Sequence, residues 1–325
     1  MALLEINDLN TWFFTERGIA KAVQGVSLSV DRGEILGLVG ESGSGKSVTN
    51  FSIINLLQYP GKIVSGEIWF DGVDLSQLSQ EEIRGYRGKK IAFIFQDPLM
   101  TLNPVYRIKD QMAEALEAHG ITDKKEQYRI SLLNLKKVGI PAPEERLEAF
   151  PHELSGGMRQ RIVIAIGLLN NPDLLLADEP TTALDVTIQS QILFETKNLV
   201  KENNMALIWV SHDLATVASL ADRIAVMYAG RIVETGTAAE VINGSLHPYT
   251  MGLLASAPSR NARGQKLYQI EGQAPSFFDI PQGCAFYARC PYAQKSCQHE
   301  DAFATISVSE THQVACHRYK EIGHD

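Results

Sequence analysis

The chain has 325 residues, of which 45% are hydrophobic and 21% charged, so it can bury a sizeable core and has room for two domains. Its 38 acidic residues outnumber the 30 basic ones, and the formal net charge of −8 argues against a surface that binds duplex nucleic acid. The N-terminus, MALLEINDLN, predicts no signal peptide, and the longest apolar runs are too short to span a bilayer. We therefore expect a soluble, cytoplasmic protein.

The predicted elements alternate between strands and helices. Strands are predicted at 3–14, 20–31, 34–39, 66–72, 91–96, 174–178 and 206–210, helices at 46–57 and 187–203, and a hairpin at 223–236. Helical periodicity dominates between about 107 and 170. The strands at 174–178 and 206–210 are continuous apolar runs, which are typical of a buried parallel sheet. An α/β fold with a domain boundary near residue 240 is therefore expected.

Residues 40–47 read GESGSGKS and connect a predicted strand to a predicted helix. In that context the spacing G-x-x-x-x-G-K-S is typical of a loop that binds phosphate. The glycines let the backbone curl so that successive N–H groups point at an anion, and the following helix adds its positive end. Lys46 is expected to bind the β- and γ-phosphates, and the Ser47 hydroxyl to bind Mg²⁺. The other loop residues predicted to contact ATP are Gly40, Glu41, Ser42, Gly43, Ser44 and Gly45.

The apolar strand LLLAD is followed directly by Glu179. Asp178, at the end of the strand, can hold Mg²⁺ directly or through water. Glu179 can orient and deprotonate the water that attacks the phosphate. An apolar run that ends in Asp-Glu is common, but downstream of a phosphate loop it indicates hydrolysis of a nucleotide.

A second candidate anion site lies in ELSGGMRQR, where Ser155, Gly156 and Gly157 precede a predicted helix. A hydroxyl and bare backbone at a helix N-terminus suit an anion, although an ordinary serine cap would read the same way. The segment resembles the LSGGQ signature of ABC transporter ATP-binding subunits, with Met158 in place of glutamine. That resemblance extends over almost the whole chain.

The resemblance implies a P-loop ABC nucleotide-binding cassette, with a RecA-like core, an antiparallel β subdomain and a helical subdomain at about 98–165. The cassette is expected to occupy residues 1–240 and to hydrolyse ATP. Gln96 matches the glutamine that touches Mg²⁺ and senses the γ-phosphate, and His212 matches the catalytic switch histidine. Phe13 is expected to stack on adenine, with Trp12 and Phe14 as alternatives.

In this family the signature of one subunit binds the γ-phosphate that the other subunit holds. Ser155, Gly156, Gly157 and Asp185, the last in the D-loop segment TTALD, are therefore expected to contact ATP in trans in a head-to-tail dimer. The segment HPYTMGLLASAP at 247–258 resembles the importers of oligopeptides and dipeptides.

The same resemblance implies the partners and the location of the chain. The partners are a second ABC ATPase subunit, with a paralogue favoured over a second copy, two membrane permease subunits, and an extracytoplasmic solute-binding protein. No nucleic acid is among them. The chain would lie peripherally on the cytoplasmic face of the cell membrane. Residues 98–106, including Leu102, mix apolar side chains with two prolines and show no core periodicity, so they are expected to form the surface that docks on the permeases.

All four cysteines, Cys284, Cys290, Cys297 and Cys316, lie in the C-terminal tail with the spacing C-x5-C-x6-C-x18-C. In a chain without an export signal, this placement favours a metal site over disulfides. Zinc ligands usually come in tighter pairs, and the tail resembles the cluster-binding tail of the importers, so a [4Fe-4S] cluster is favoured over zinc and over unligated thiols. His299, His312 and His317 are alternative ligands. The region 241–325 is therefore predicted to be a small metal-binding domain.

Several alternatives remain open from the sequence. The solute could be nickel, a glycoside or another compound rather than a peptide. A soluble ABC ATPase acting on DNA or ribosomes would be expected to carry coiled-coil insertions, zinc modules or two fused cassettes. A redox-sensing regulator built on a cassette would need no membrane subunits.

Overall fold

A computed structural model describes residues 2–181, 184–257 and 268–322. Contacts within the chain divide it into two compact units. The first unit combines Met1–Asp31, Ile35–Gln77 and Trp209–Asp325, and the second combines Arg32–Glu34 with Leu78–Ile208. Among the described residues, no helix has both the length and the apolar character needed to cross a membrane.

The first unit contains a four-stranded antiparallel sheet. Its strands, in the order β2-β1-β4-β5, are β1 (Leu4–Thr15), β2 (Gly18–Val30), β4 (Gly61–Phe70) and β5 (Val73–Asp74). Leu4 and Ile6 are buried while Glu5 and Asn7 are exposed, which is the period-two pattern of a strand with one covered face. The antiparallel β subdomain implied by the sequence resemblance is therefore present.

The first unit also contains strands of a mixed sheet. Its strands, in the order β11-β12-β10-β9-β3, are β3 (Ile35–Val39), β9 (Arg223–Tyr228), β10 (Arg231–Thr237), β11 (Ile306–Ser307) and β12 (Gln313–Val314). β3 runs parallel to β9, and the remaining neighbours are antiparallel. The C-terminal tail thus contributes two short strands to the sheet that also holds β3, the strand before the phosphate loop.

Short helices complete the first unit. They are α1 (Lys46–Ile53), α9 (Leu214–Leu220), α10 (Ala238–Asn243) and α11 (Pro248–Ser256). α1 ends near Ile53 because Asn55 adopts a left-handed conformation with φ 47°. α11 begins after His247, whose Nδ1 accepts a hydrogen bond from the Tyr249 N–H, and Pro248 occupies the first helical position, where its missing N–H costs nothing.

The second unit pairs two parallel strands with seven helices among its described residues. These elements are β6 (Ile91–Ile94), β7 (Leu174–Asp178), α2 (Gln80–Arg84), α3 (Pro98–Thr101), α4 (Ile108–Glu117), α5 (Lys124–Lys137), α6 (Pro143–Glu148), α7 (Gly156–Gly167) and α8 (Val186–Glu202). The helices bury apolar side chains such as Leu116, Leu135 and Ile162. Strand β8 (Ala206–Ser211) is divided between the two units.

Most predicted elements are present, with shifted ends. The hairpin at β9 and β10 turns at Ala229 and Gly230, whose φ values of 47° and 83° are those of a tight hairpin turn. Predicted ends were wrong by several residues at α1, which stops at 53 rather than 57, and at β4, which begins at 61 rather than 66. The domain boundary that the sequence places near residue 240 stays a prediction.

Candidate functional site

The phosphate loop connects β3 to α1 in the first unit. Gly45 caps α1 with φ 106°, and a β-carbon there would lie 2.4 Å from the Ala22 carbonyl oxygen. A β-carbon on Gly40 would lie 2.1 Å from the Met227 carbonyl oxygen. Both distances exclude any larger residue. The structure therefore requires glycine at two of the predicted loop positions for reasons of backbone packing, not only of flexibility.

Lys46 lies inside the curl of this loop. Its side chain is only 4% exposed, and its ammonium donates to the carbonyl oxygens of Gly40 and Glu41, both at 2.8 Å. Ser47, the next residue, is half-buried in the first turn of α1, while Ser42 and Gly43 are exposed. A buried cation beside exposed loop backbone at a helix N-terminus fits the phosphates of a nucleotide.

Three aromatic residues at the end of β1 have different surroundings. The Thr11 hydroxyl lies 2.8 Å from that of Ser52 in α1, and the alternation of the strand puts Phe13 on the same side, against Gly61. Trp12 instead lines a cavity of about 630 Å³, with Lys21 Nζ 4.9 Å from its ring centre. Phe14 is largely exposed. Phe13 is therefore the aromatic residue on the α1 side of the strand.

The predicted switch histidine, His212, follows β8 directly and is exposed. The next residue, Asp213, caps α9 by accepting hydrogen bonds from the N–H groups of Ala215 and Thr216. The cap fixes the backbone immediately after His212.

In the second unit, the carboxyl ends of β6 and β7 lie at one edge because the two strands are parallel. Asp178 is the last residue of β7 and is buried, and Glu179 follows with a left-handed φ of 45°. Gln96, just beyond β6, donates from Nε2 to Glu179 Oε2 at 3.3 Å. The structure thus brings together three residues that the sequence assigned to one site.

The signature segment begins α7. Ser155 is the N-cap, and its hydroxyl accepts a hydrogen bond from the Met158 N–H at 3.3 Å. A β-carbon on Gly157 would lie 2.8 Å from Ile188 Cγ2 in α8, the helix that Asp185 caps by accepting from the Ile188 N–H at 3.0 Å. The signature and Asp185 are therefore packed together. Thr182 and Ala183 of the predicted D-loop lie outside the described residues.

The four cysteines converge on one small cavity in the first unit. All four are partly buried and line a cavity of about 20 Å³, which has room for about one water molecule. Burial and the three neighbouring thiols raise the pKa of Cys284 to about 11, and burial raises the pKa of Cys290 and Cys316.

This arrangement does not support the predicted metal-binding domain. Within residues 2–181, 184–257 and 268–322, no group of three or more His, Cys, Asp or Glu side chains is placed to hold a metal ion. All four thiols nevertheless line the same cavity. Among the alternative ligands, His312 Nε2 lies 2.9 Å from a carboxylate oxygen of Glu234. The ring nitrogens of His317 are in hydrogen-bond contact with the Ser296 hydroxyl and the Ala302 carbonyl oxygen.

The expectation that Leu102 lies on a docking surface is wrong. Leu102, the C-cap residue that follows α3, is only 2% exposed. Its neighbours Met100 and Val105 are 86% and 72% exposed, and Leu99 and Tyr106 are also exposed. The segment 98–106 therefore has an apolar surface, but through other residues.

One contact of the phosphate loop was not predicted. Glu41 forms an ion pair with Arg289, which precedes Cys290 in the tail, and its backbone N–H donates to the Tyr249 hydroxyl. A single arginine beside a cysteine carries no sequence signal for such a contact across 248 residues.

Comparisons with known proteins agree with this geometry. A family described as "ABC transporter" matches residues 23–182, and one described as "Oligopeptide/dipeptide transporter, C-terminal region" matches residues 233–297. The chain is 49% identical to an oligopeptide transport ATP-binding protein of Bacillus subtilis, over 96% of this chain and 87% of that protein. It is 44% identical to a dipeptide transport ATP-binding protein of Escherichia coli, over 98% and 97% of the two chains.

Comparison with solved structures indicates the same class of protein. A dimeric bacterial ABC transporter cassette aligns with a TM-score of 0.65 and 29% identity, over 72% of this chain and 98% of the other. A dimeric cassette bound to ADP and phosphate in a post-hydrolysis state aligns with a TM-score of 0.65 and 28% identity, with the same coverage. The fold and the phosphate loop thus define an ABC-type ATPase. The chain belongs to the family of ATP-binding subunits of oligopeptide and dipeptide ABC transporters, which hydrolyse ATP.

Proposed function

We propose that this chain powers the import of dipeptides or oligopeptides through partner membrane subunits. The observation that carries the proposal is that one chain joins a complete phosphate loop to the His-Pro-Tyr segment of the peptide-transporter family, which matches at 233–297. The names of the relatives, which cover nearly the whole chain, support the peptide as solute.

We propose the following roles at the nucleotide. Lys46 binds the β- and γ-phosphates, and the loop N–H groups of residues 40–47 surround them. Ser47, Gln96 and Asp178 would hold Mg²⁺, which would neutralise charge on the phosphates. Glu179 deprotonates the attacking water. The contact between Gln96 and Glu179 supports this assignment, because it holds the candidate base in a defined orientation.

The remaining roles concern the adenine, the γ-phosphate and the dimer. Phe13 stacks on adenine, which its position on the α1 side of β1 supports. His212 contacts the γ-phosphate. Ser155, Gly156, Gly157 and Asp185 contact the ATP of a second ABC subunit, for which a paralogue is favoured, and their mutual packing supports a shared surface.

We infer the partners and the location from the family. Two permease subunits and an extracytoplasmic solute-binding protein would complete the transporter, with this chain peripheral on the cytoplasmic face of the membrane. The exposed apolar side chains of Leu99, Met100, Val105 and Tyr106 suit a permease contact.

The tail is proposed to bind a [4Fe-4S] cluster through Cys284, Cys290, Cys297 and Cys316. Their convergence on one cavity supports a shared ligand. The thiols would bind the cluster as thiolates, so loading would release protons.

The proposal is tested by purifying the chain from membranes of its own cells. We expect two permease proteins to co-purify, and the reconstituted complex to hydrolyse ATP faster when solute-binding protein loaded with dipeptide is added. Stimulation by nickel or a glycoside, with none by peptides, would contradict the peptide assignment and leave the ATPase assignment intact.

A further inference from the structure

The side chain of Arg289 connects the cysteine-bearing tail to the phosphate loop. Its Nη1 and Nη2 atoms donate to the two carboxylate oxygens of Glu41 at 2.7 and 2.9 Å, which is the two-pronged geometry of a strong arginine–carboxylate pair. The Arg289 side chain is 6% exposed and that of Glu41 is 30% exposed. The pair is therefore shielded from water more than a surface ion pair is.

One contact from the tail and one from β9 hold the guanidinium in place. Nε donates to the Glu271 carbonyl oxygen at 3.0 Å, and Nη1 also lies 3.3 Å from the Tyr228 hydroxyl. Because Nε, Nη1 and Nη2 of the guanidinium all have hydrogen-bond partners, Arg289 has little freedom to leave Glu41. The position of Glu41 therefore depends on the tail segment 271–290.

A second contact holds the backbone of the same loop residue. The Glu41 N–H donates to the Tyr249 hydroxyl at 2.7 Å, and Tyr249 is fully buried in a cluster with Tyr228 and Phe286. Phe286 belongs to the tail, two residues after Cys284. The His-Pro-Tyr segment and the tail thus hold Glu41 by its N–H and by its side chain.

Glu41 in turn holds the lysine of the loop. Its carbonyl oxygen accepts a hydrogen bond from Lys46 Nζ at 2.8 Å. Its carboxylate is a negative charge carried by a loop that must bind the polyanionic end of a nucleotide. Without a partner, that charge would repel the phosphates, since like charges in a partly buried site interact strongly.

We propose that Arg289 is a positioning residue for nucleotide binding: it neutralises the Glu41 carboxylate and fixes the phosphate loop, so that the tail sets the affinity of the ATP site. The tail would then have a role in nucleotide binding. That role does not depend on whether its cysteines carry a cluster. Tyr249 contributes by anchoring the Glu41 backbone.

The test measures binding of MgADP to the full-length chain by titration calorimetry. Arg289→Ala is expected to bind MgADP about tenfold more weakly, the worth of one charge-assisted hydrogen bond. Arg289→Lys keeps the charge but loses the fork, and should weaken binding about threefold. Arg318→Ala is the matched control: Arg318 is also a mostly buried arginine near a tail cysteine, but it pairs with Glu321 rather than with the loop, and native affinity is expected.

The decisive measurement is the double variant. If repulsion by an unpaired Glu41 is the cause, Glu41→Gln in the Arg289→Ala background should restore most of the lost affinity, which a merely structural role for Arg289 would not do. Native affinity in Arg289→Ala, or an equal loss with and without Glu41→Gln, would overturn the proposal. Should Arg289→Ala not fold, Arg289→Gln, which removes the charge but keeps a polar side chain, replaces it, and native affinity in that variant would overturn the proposal in the same way.

Discussion

The amide nitrogen of Gln96 lies 3.3 Å from a carboxylate oxygen of Glu179, across the carboxyl ends of two parallel strands. Glu179 reaches this position with a left-handed backbone, φ 45°, which a non-glycine residue adopts only at a cost. The strained conformation immediately after a buried aspartate is consistent with a residue placed for chemistry rather than for stability.

Replacing Glu179 with glutamine should lower the rate of ATP hydrolysis without weakening nucleotide binding. The substitution keeps the size of the side chain while removing the proposed base, so turnover should fall by about 100-fold or more, with MgATP still bound. Lys46→Ala should instead weaken nucleotide binding itself. Single-turnover hydrolysis and equilibrium binding measured on the assembled transporter distinguish the two, and a Glu179→Gln variant with near-native turnover would show that another group is the base.

The two signature glycines should tolerate a methyl group differently. Gly157→Ala would bring a β-carbon 2.8 Å from Ile188 Cγ2, so we expect the free energy of unfolding to fall by about 1–3 kcal/mol. Gly156→Ala, whose β-carbon would lie 3.7 Å from Leu184, should change it by less than about 0.5 kcal/mol. Urea denaturation measures both, and equal losses would contradict the packing of α7 on α8.

The four cysteines of the tail determine the expected metal content of the purified protein. Protein purified without oxygen should be brown and contain about four irons and four sulfides per chain. Cys290→Ser should lower the iron content. A colourless protein with stoichiometric zinc would contradict the cluster while keeping the ligands, and a metal-free protein with four reactive thiols would contradict any metal at this site.

Much of the fold could be predicted from the sequence because local patterns determine it. The loop at 40–47 carries its glycines and lysine in consecutive positions, and the turn at Ala229-Gly230 needs only two residues with positive φ. Buried strands such as β7 are continuous apolar runs. Each of these signals lies within a few residues, so no knowledge of distant contacts is required.

What the sequence could not predict depends on distant contacts. Arg289 meets Glu41 across 248 residues, and nothing near either residue indicates its partner. Leu102 lies in a stretch without periodicity, so its burial could not be distinguished from the exposure of Val105. The four cysteines line one cavity, but the space between them is set by the packing of distant residues, which the sequence does not indicate.

The His-Pro-Tyr segment should make stability depend on pH. His247 is fully buried, and burial, partly offset by the Glu234 carboxylate, lowers its pKa to about 4. Because the unfolded chain binds the proton near pH 6.5 and the folded chain does not, stability present above pH 6.5 should be lost progressively as pH falls toward 4.

Asparagine at position 247 is the matched variant, since it can cap α11 as His247 does but cannot titrate. Thermal unfolding should show a decrease in Tm between pH 7 and 5 that is smaller in His247→Asn than in the native chain. Identical pH profiles would mean that the His247 proton contributes nothing, and that any acid sensitivity arises elsewhere.

The exposed apolar side chains after Gln96 are candidates for coupling this chain to the membrane subunits. Met100 and Val105 are exposed in the second unit, so a glutamate at either position should leave folding and ATP binding near native while abolishing co-purification with the permeases and peptide uptake. Leu102→Glu, by contrast, would bury a charge and should lower Tm sharply. Comparing the three variants separates loss of docking from loss of structure. If Met100→Glu and Val105→Glu both support normal uptake, the permeases dock on a different surface.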